Sequence, residues 1–214
     1  MNLFELSELK ARKGLLPIFL WMALSSFGPF KAETFRQIWL EAKFGALLAY
    51  KGTANCFTLR FEGKNVQPTK NPGFIVVDNH PIQATLIPFQ KDFGFTNLDV
   101  DKQKELLTRY KNFEKKHVES ALKTRILDAD GFLQINKRVF KTWTYQMPAS
   151  HKSISKQIYL MCICFDQILV LNAPVGKEES GNLVHDRLEK IASTLELYPN
   201  TLLDVENLAR QLKE

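Results

Sequence analysis

Between Val139 and Met147 apolar or aromatic and polar residues alternate, with Val139, Lys141, Trp143, Tyr145 and Met147 on one side and Phe140, Thr142, Thr144 and Gln146 on the other. Period-two alternation rich in aromatic and β-branched residues predicts a strand, and Pro148 ends it because proline cannot donate to a ladder. Ile158–Phe165 reads IYLMCICF and Ile168–Leu171 resumes the apolar run after Asp166-Gln167. Strands apolar on both faces belong in the middle of a covered sheet, and the two intervening residues predict a tight hairpin. The stretch 137–175 therefore reads as three successive strands around which the rest of the chain is arranged.

Further strands are predicted over Asn55–Phe61, Phe74–Val77 and Ile82–Phe89, with Gly63–Gly73 as loop and Asn79-His80-Pro81 as a turn. Helical spacing predicts a helix over Ala32–Tyr50 from Phe35, Ile38, Trp39, Ala42, Ala46 and Ala49, bounded by Pro29 and Gly52. The clearest helix spans Asn97–Lys123, capped by Asp99, with Leu106, Tyr110, Phe113, His117 and Ala121 as its apolar stripe and its lysines facing away. Asp128–Gly131 reads as a turn. Val184, Leu188, Ile191 and Leu195 mark another helix, and Leu202, Val205, Leu208 and Leu212 a last one. The expected architecture is α+β, an antiparallel sheet covered by helices, with residues 1–52 as a basic, apolar helical extension and 53–214 as the α+β domain.

Charge sharpens the view of the N-terminal part. The net charge is +6, and residues 1–70 hold ten Lys and Arg against five Asp and Glu. A basic segment suits anionic lipid or an acidic partner. No zinc-finger spacing, arginine-rich run or RNP-like motif accompanies it, so nucleic acid is not an expected partner. Arg12 and Lys13 precede the apolar run 14–25, which resembles a secretory signal peptide. Glu5 and Glu8, the early Pro17 and the lack of a small-x-small cleavage pair point to an uncleaved segment. It is shorter than the ~20 apolar residues a span needs. Arg12, Lys13, Leu16, Phe19, Leu20 and Trp21 are the candidate contacts with a membrane surface or protein partner. The expected location is cytoplasmic or peripheral to a membrane.

Candidate chemistry is sparse. Three cysteines build no disulfide framework, and Cys162 and Cys164, two apart in a strand, read as packed thiols on one face. Asn79-His80 resembles the asparagine-histidine start of glycerol-phosphate acyltransferases, where a nearby aspartate orients the histidine base. Here Pro81–Thr85 offer no carboxylate and no FPEG-like motif follows, so His80 lacks a local orienter. His117 falls on the apolar stripe, which marks a core histidine. His151 and His185 have no second ligand at metal spacing. The carboxylates of Asp128–Gly131 are too few for an EF-hand loop. No phosphate-binding loop, nucleophile elbow or dinucleotide fingerprint is present. No catalytic residue, metal or cofactor is expected. Trp143 and Tyr145 are candidates for lining a groove if their face is open, and core fillers otherwise.

The segments TWTYQMP and QIYLMCICFDQILVLNAPV, followed by a helix from about Gly181 to Leu197, resemble the PsbP-like fold shared with DcrB-like bacterial proteins. The resemblance covers residues 54–199 and concerns element order and strand texture. It implies an α/β sandwich and a non-catalytic role, since members include photosystem assembly subunits, a partner of a nuclear nucleotide-exchange factor and adaptor chaperones of type VI secretion effectors. A protein-binding domain of adaptor, chaperone-like or assembly-subunit type is therefore the expected function. The alternatives are a small hydrolase or acyltransferase-like enzyme using His80, and a structural subunit of a larger complex.

Overall fold

A computed structural model describes residues 34–71, 73–88 and 99–213, all within one compact unit, Lys31–Glu214. Its large sheet has seven antiparallel strands: β4 (Val66–Pro68), β5 (Phe74–Val77), β6 (His80–Pro88), β7 (Asp128–Ile135), β8 (Arg138–Gln146), β9 (Ile154–Cys164) and β10 (Gln167–Gly176). They lie in the order β4-β5-β6-β10-β9-β8-β7, so the apolar strands β9 and β10 are interior, as their double-sided hydrophobicity requires. The hairpin between them turns on Phe165-Asp166, one residue earlier than the sequence pattern suggests, with Phe165 at φ 58°.

A second sheet orders β1 (Arg36–Ala42), β2 (Gly45–Lys51), β3 (Cys56–Glu62) and β11 (Glu196–Tyr198). The helix expected over Ala32–Tyr50 is thus a β-hairpin for the residues described. Its apolar positions satisfy helical spacing, but Lys43-Phe44 form a turn that divides them, and β2 buries residues on both faces. The helical extension over residues 1–33 lies outside the described residues. Gly45 allows the turn: its φ is +133°, and a Cβ there would stand 2.4 Å from the Phe61 carbonyl oxygen.

Among the described residues three helices complete the unit: α1 (Val100–Leu122), α2 (Gly181–Ser193) and α3 (Val205–Gln211). The main core lies between the two sheets, where Leu48, Phe57, Leu59 and Phe61 of the small sheet meet Leu160, Leu169 and Leu171 of the large one, with Val184, Leu188 and Ile191 of α2. Cys162 and Cys164 both face this core, with their sulfurs 3.8 Å apart. Helix α2 stops at Ser193, so Glu196 and Leu197, expected as the end of that helix, instead belong to the strand Glu196–Tyr198 beside β3. Helix α3 packs beside β1, and Lys43 N donates to Leu212 O.

Helix α1 covers the opposite face of the large sheet, over β8 and β9. Asp99 caps it, Oδ1 accepting from Lys102 N at 2.8 Å. Its buried line is Leu106, Leu107, Lys111, Glu114 and Val118, rotated from the expected stripe. Phe113 and His117 are exposed, so His117 is not a core histidine. The cause is electrostatic, because Lys111 turns inward to meet carboxylates on the sheet.

Candidate functional site

Those carboxylates are Asp128 and Asp130. The sequence pattern reads Asp128–Gly131 as a turn, whereas these residues open β7, and the two-residue spacing places both aspartates on the face beneath α1. Lys111 and Lys115, one helical turn apart, reach down to them. Lys111 Nζ lies 2.7 Å from Asp128 Oδ2 and 2.8 Å from Asp130 Oδ2, and Lys115 Nζ lies 2.5 Å from Asp128 Oδ1. Lys141, paired across from Phe132, completes the group at 3.2 Å from Asp130 Oδ1. Trp143 Nε1 donates to Asp128 Oδ2 at 3.1 Å. Burial raises the Asp128 carboxyl, but hydrogen bonds from Lys111 and Lys115 outweigh it and hold the pKa at about 2. Asp130 is lowered in the same way, burial being outweighed by Lys111 and Lys141. Lys111 is raised, its burial opposed by both aspartates.

Next to this group Tyr110 OH donates to Glu114 Oε1 at 3.0 Å. Burial raises the Glu114 carboxyl, against the Tyr110 hydrogen bond and His117. Below lie the rings of Trp143, Tyr145 and Tyr159, with centroids 4.7 to 5.9 Å apart. Trp143 is 0% and Tyr145 2% exposed. The face on which they were candidate groove residues is therefore closed by α1, and they fill the space between helix and sheet. Burial pushes the Tyr145 hydroxyl up to about 12. Gln157 Oε1 has no hydrogen-bond partner among the described residues, and the Tyr159 hydroxyl lies near Tyr145 and Asn172 without completing a bond of ordinary geometry.

His80 occupies a different place. The turn before it is Asp78-Asn79, both at positive φ, and His80 is the first residue of β6, paired with Val77. Its Nδ1 lies 2.8 Å from Glu179 Oε1, in the connection between β10 and α2. Gly176 N donates to Glu179 Oε2 at 3.2 Å, and Arg187 stands 3.7 Å from Glu179 Oε1. The carboxylate missing from the local sequence is thus supplied by the antiparallel pairing of β6 with β10. No spacing rule along the chain would have found it.

The remaining histidines serve locally. His185 Nδ1 meets Glu189 Oε1 at 2.8 Å, one turn along α2, and His151 Nδ1 accepts from Ile154 N at 3.2 Å. The His117 ring stands edge-on to Phe113 at 4.3 Å. Among the described residues no group of three His, Cys, Asp or Glu could hold a metal ion. The expected docking residues Arg12, Lys13, Leu16, Phe19, Leu20 and Trp21 lie outside the described residues. Among those described, no helix is long and apolar enough to cross a membrane.

No family model matches the sequence, and no curated protein matches it. Among solved structures, the chain resembles the solution structure of cyanobacterial PsbP (CyanoP) from Synechocystis sp. PCC 6803. The identity is 12%, the match covers 82% of this chain and 99% of that one, and the TM-score is 0.42.

Proposed function

We propose that this protein is a non-catalytic protein-binding domain of the adaptor or assembly-subunit kind, whose N-terminal segment docks on a membrane or partner. What supports the reading is the fate of the groups best suited to acid–base chemistry. Lys111, Lys141, Asp128 and Asp130 neutralise one another beneath α1, with Lys111 only 7% and Lys141 3% exposed. They fasten a helix to a sheet. The docking role rests on Leu16, Phe19, Leu20 and Trp21 beside Arg12 and Lys13. The test uses the full chain with these four apolar residues changed to serine. Co-sedimentation with vesicles of phosphatidylcholine and phosphatidylserine, and retention of a partner purified with the native protein, are compared with wild type. Loss of either, with unchanged thermal melting, is expected. If neither binding changes, the segment is not the docking surface.

A second reading, a small hydrolase or acyltransferase-like enzyme, draws on the 2.8 Å contact of His80 with Glu179. It requires hydrolysis of a small activated ester that falls together in His80→Ala and Glu179→Gln. Turnover equal to free imidazole in the wild type, or indifferent to both changes, removes it.

A further inference from the structure

Helices α1 and α2 are held by buried side chains, Leu106, Leu107 and Val118 in one and Val184, Leu188 and Ile191 in the other, whereas α3 buries none of its residues. The segment is nevertheless amphipathic. Leu202, Val205, Leu208 and Leu212 recur at helical spacing, and Leu202 is left 66% exposed. Polar clips hold it instead. The Cys56 thiol donates to Thr201 O at 3.0 Å, Asn200 N to Asn55 Oδ1 at 3.2 Å, and Lys43 N to Leu212 O at 3.3 Å.

These clips set the segment on the outer face of the small sheet. Alternation along β3 turns Phe57, Leu59 and Phe61 to the core and Cys56 and Thr58 away from it. The register continues that outer face through Leu47 and Ala49 of β2 to Ile38 and Leu40 of β1. Running from Cys56 to the β1–β2 turn, residues 199–213 cross an apolar surface, yet Ile38 and Leu40 stay only half-buried. Seven residues make a helix of about 10 Å but a strand of about 23 Å, so α3 spans less than half the length of β2.

We propose that residues 199–213 form a displaceable strap, and that the face beneath them docks an amphipathic helix of a partner protein. A segment that buries few apolar groups opens at a fraction of the global stability, so the strap lifts while the two sheets stay folded. The face already accepts one helix with a leucine-rich stripe. A longer helix with the same stripe also covers Ile38 and Leu40, and that added burial lets it displace α3. The proposal rests on the protein-binding reading above, and is independent of the docking role given to the N-terminal segment.

The test uses the full chain, with a fluorescein-labelled peptide of residues 199–213 standing in for the partner helix and binding read by fluorescence anisotropy. Wild type should bind it saturably. Leu208→Ser, which weakens the strap, should bind about tenfold more tightly with unchanged melting, because a larger fraction of the face is open. Lys43→Cys with Leu212→Cys, bridged by oxidation at the site of the 3.3 Å clip, should not bind until the bridge is reduced. Cys56 gives a second readout. A maleimide should label it faster than Cys162 or Cys164 in wild type and Leu208→Ser, and bridging should slow it about tenfold. If neither wild type nor Leu208→Ser binds the peptide, and Cys56 reacts as slowly as the core pair, the strap is a fixed part of the fold and the proposal is overturned. Equal binding with the bridge closed and open puts the peptide elsewhere and overturns it too. A wild type that dimerises in sedimentation until bridged gives the face to the strap of a second copy, which overturns the partner assignment.

Discussion

Lys111 Nζ stands 2.7 Å from Asp128 Oδ2, joining the middle of a long helix to the first residue of an edge strand. The same ammonium reaches Asp130, so one side chain ties α1 to two positions of β7. Removing one member of a buried pair leaves its partners charged and desolvated. Lys111→Met is therefore expected to destabilise the unit by about 3–5 kcal/mol in urea unfolding at neutral pH. A loss below about 1 kcal/mol, the worth of a surface pair, would show that α1 is held by its apolar contacts alone.

The pH dependence follows from Asp128. Its folded pKa of about 2 lies below the ordinary value of 3.8, so the unfolded chain binds the proton more readily. The stabilisation is complete above the unfolded pKa and is lost as pH falls from about 4 towards 2, with Asp130 adding in the same sense. Unfolding free energy measured across that window should fall with acid. Asp128→Asn should flatten the slope, and an unchanged slope would place the acid sensitivity elsewhere.

Glu114 works in the opposite direction. Burial raises its carboxyl, so the folded state holds that proton more tightly, and stability is lost as pH rises through the raised value. Glu114→Gln keeps an acceptor for Tyr110. It should stabilise the protein at neutral pH and leave it unchanged in acid, where both side chains are neutral. Destabilisation at neutral pH would mean that the ionised carboxylate has a structural partner of its own.

Cys56, Cys162 and Cys164 are buried, and burial raises the Cys162 thiol well above its ordinary range. Thiolate is the reactive form, so a thiol-specific disulfide reagent should modify the native protein far more slowly than the unfolded chain. All three should react in denaturant. Rapid labelling of any of them in the native state would show that the core opens locally.

Gly45→Ala tests the β1–β2 turn. At φ +133° and with the Phe61 carbonyl 2.4 Å from the new Cβ, the backbone must move. A cost of about 2 kcal/mol or more is expected in thermal or urea unfolding. A neutral effect would mean that the turn tolerates an ordinary side chain.

The parts of this fold legible from residue pattern are those that burial alone dictates. Ile158–Cys164 and Ile168–Val175 are apolar on both faces, and only the interior of a covered sheet suits such strands. The Asp99 cap was legible for the same kind of reason, since a side chain and the adjacent backbone settle it. Long-range pairing decided the rest. Residues 36–51 carry apolar positions at helical spacing, yet become two strands because their apolar residues meet a core built from strands and a helix more than a hundred residues further along the chain. The face of α1 was misread because Lys111 counts as polar until Asp128 and Asp130, on a strand beyond the helix, make its burial favourable. Glu179 reaches His80 only through the pairing of β6 with β10. Short-range pattern encodes the burial of a segment; the partner of a charged group is set by chain topology, which no local spacing contains.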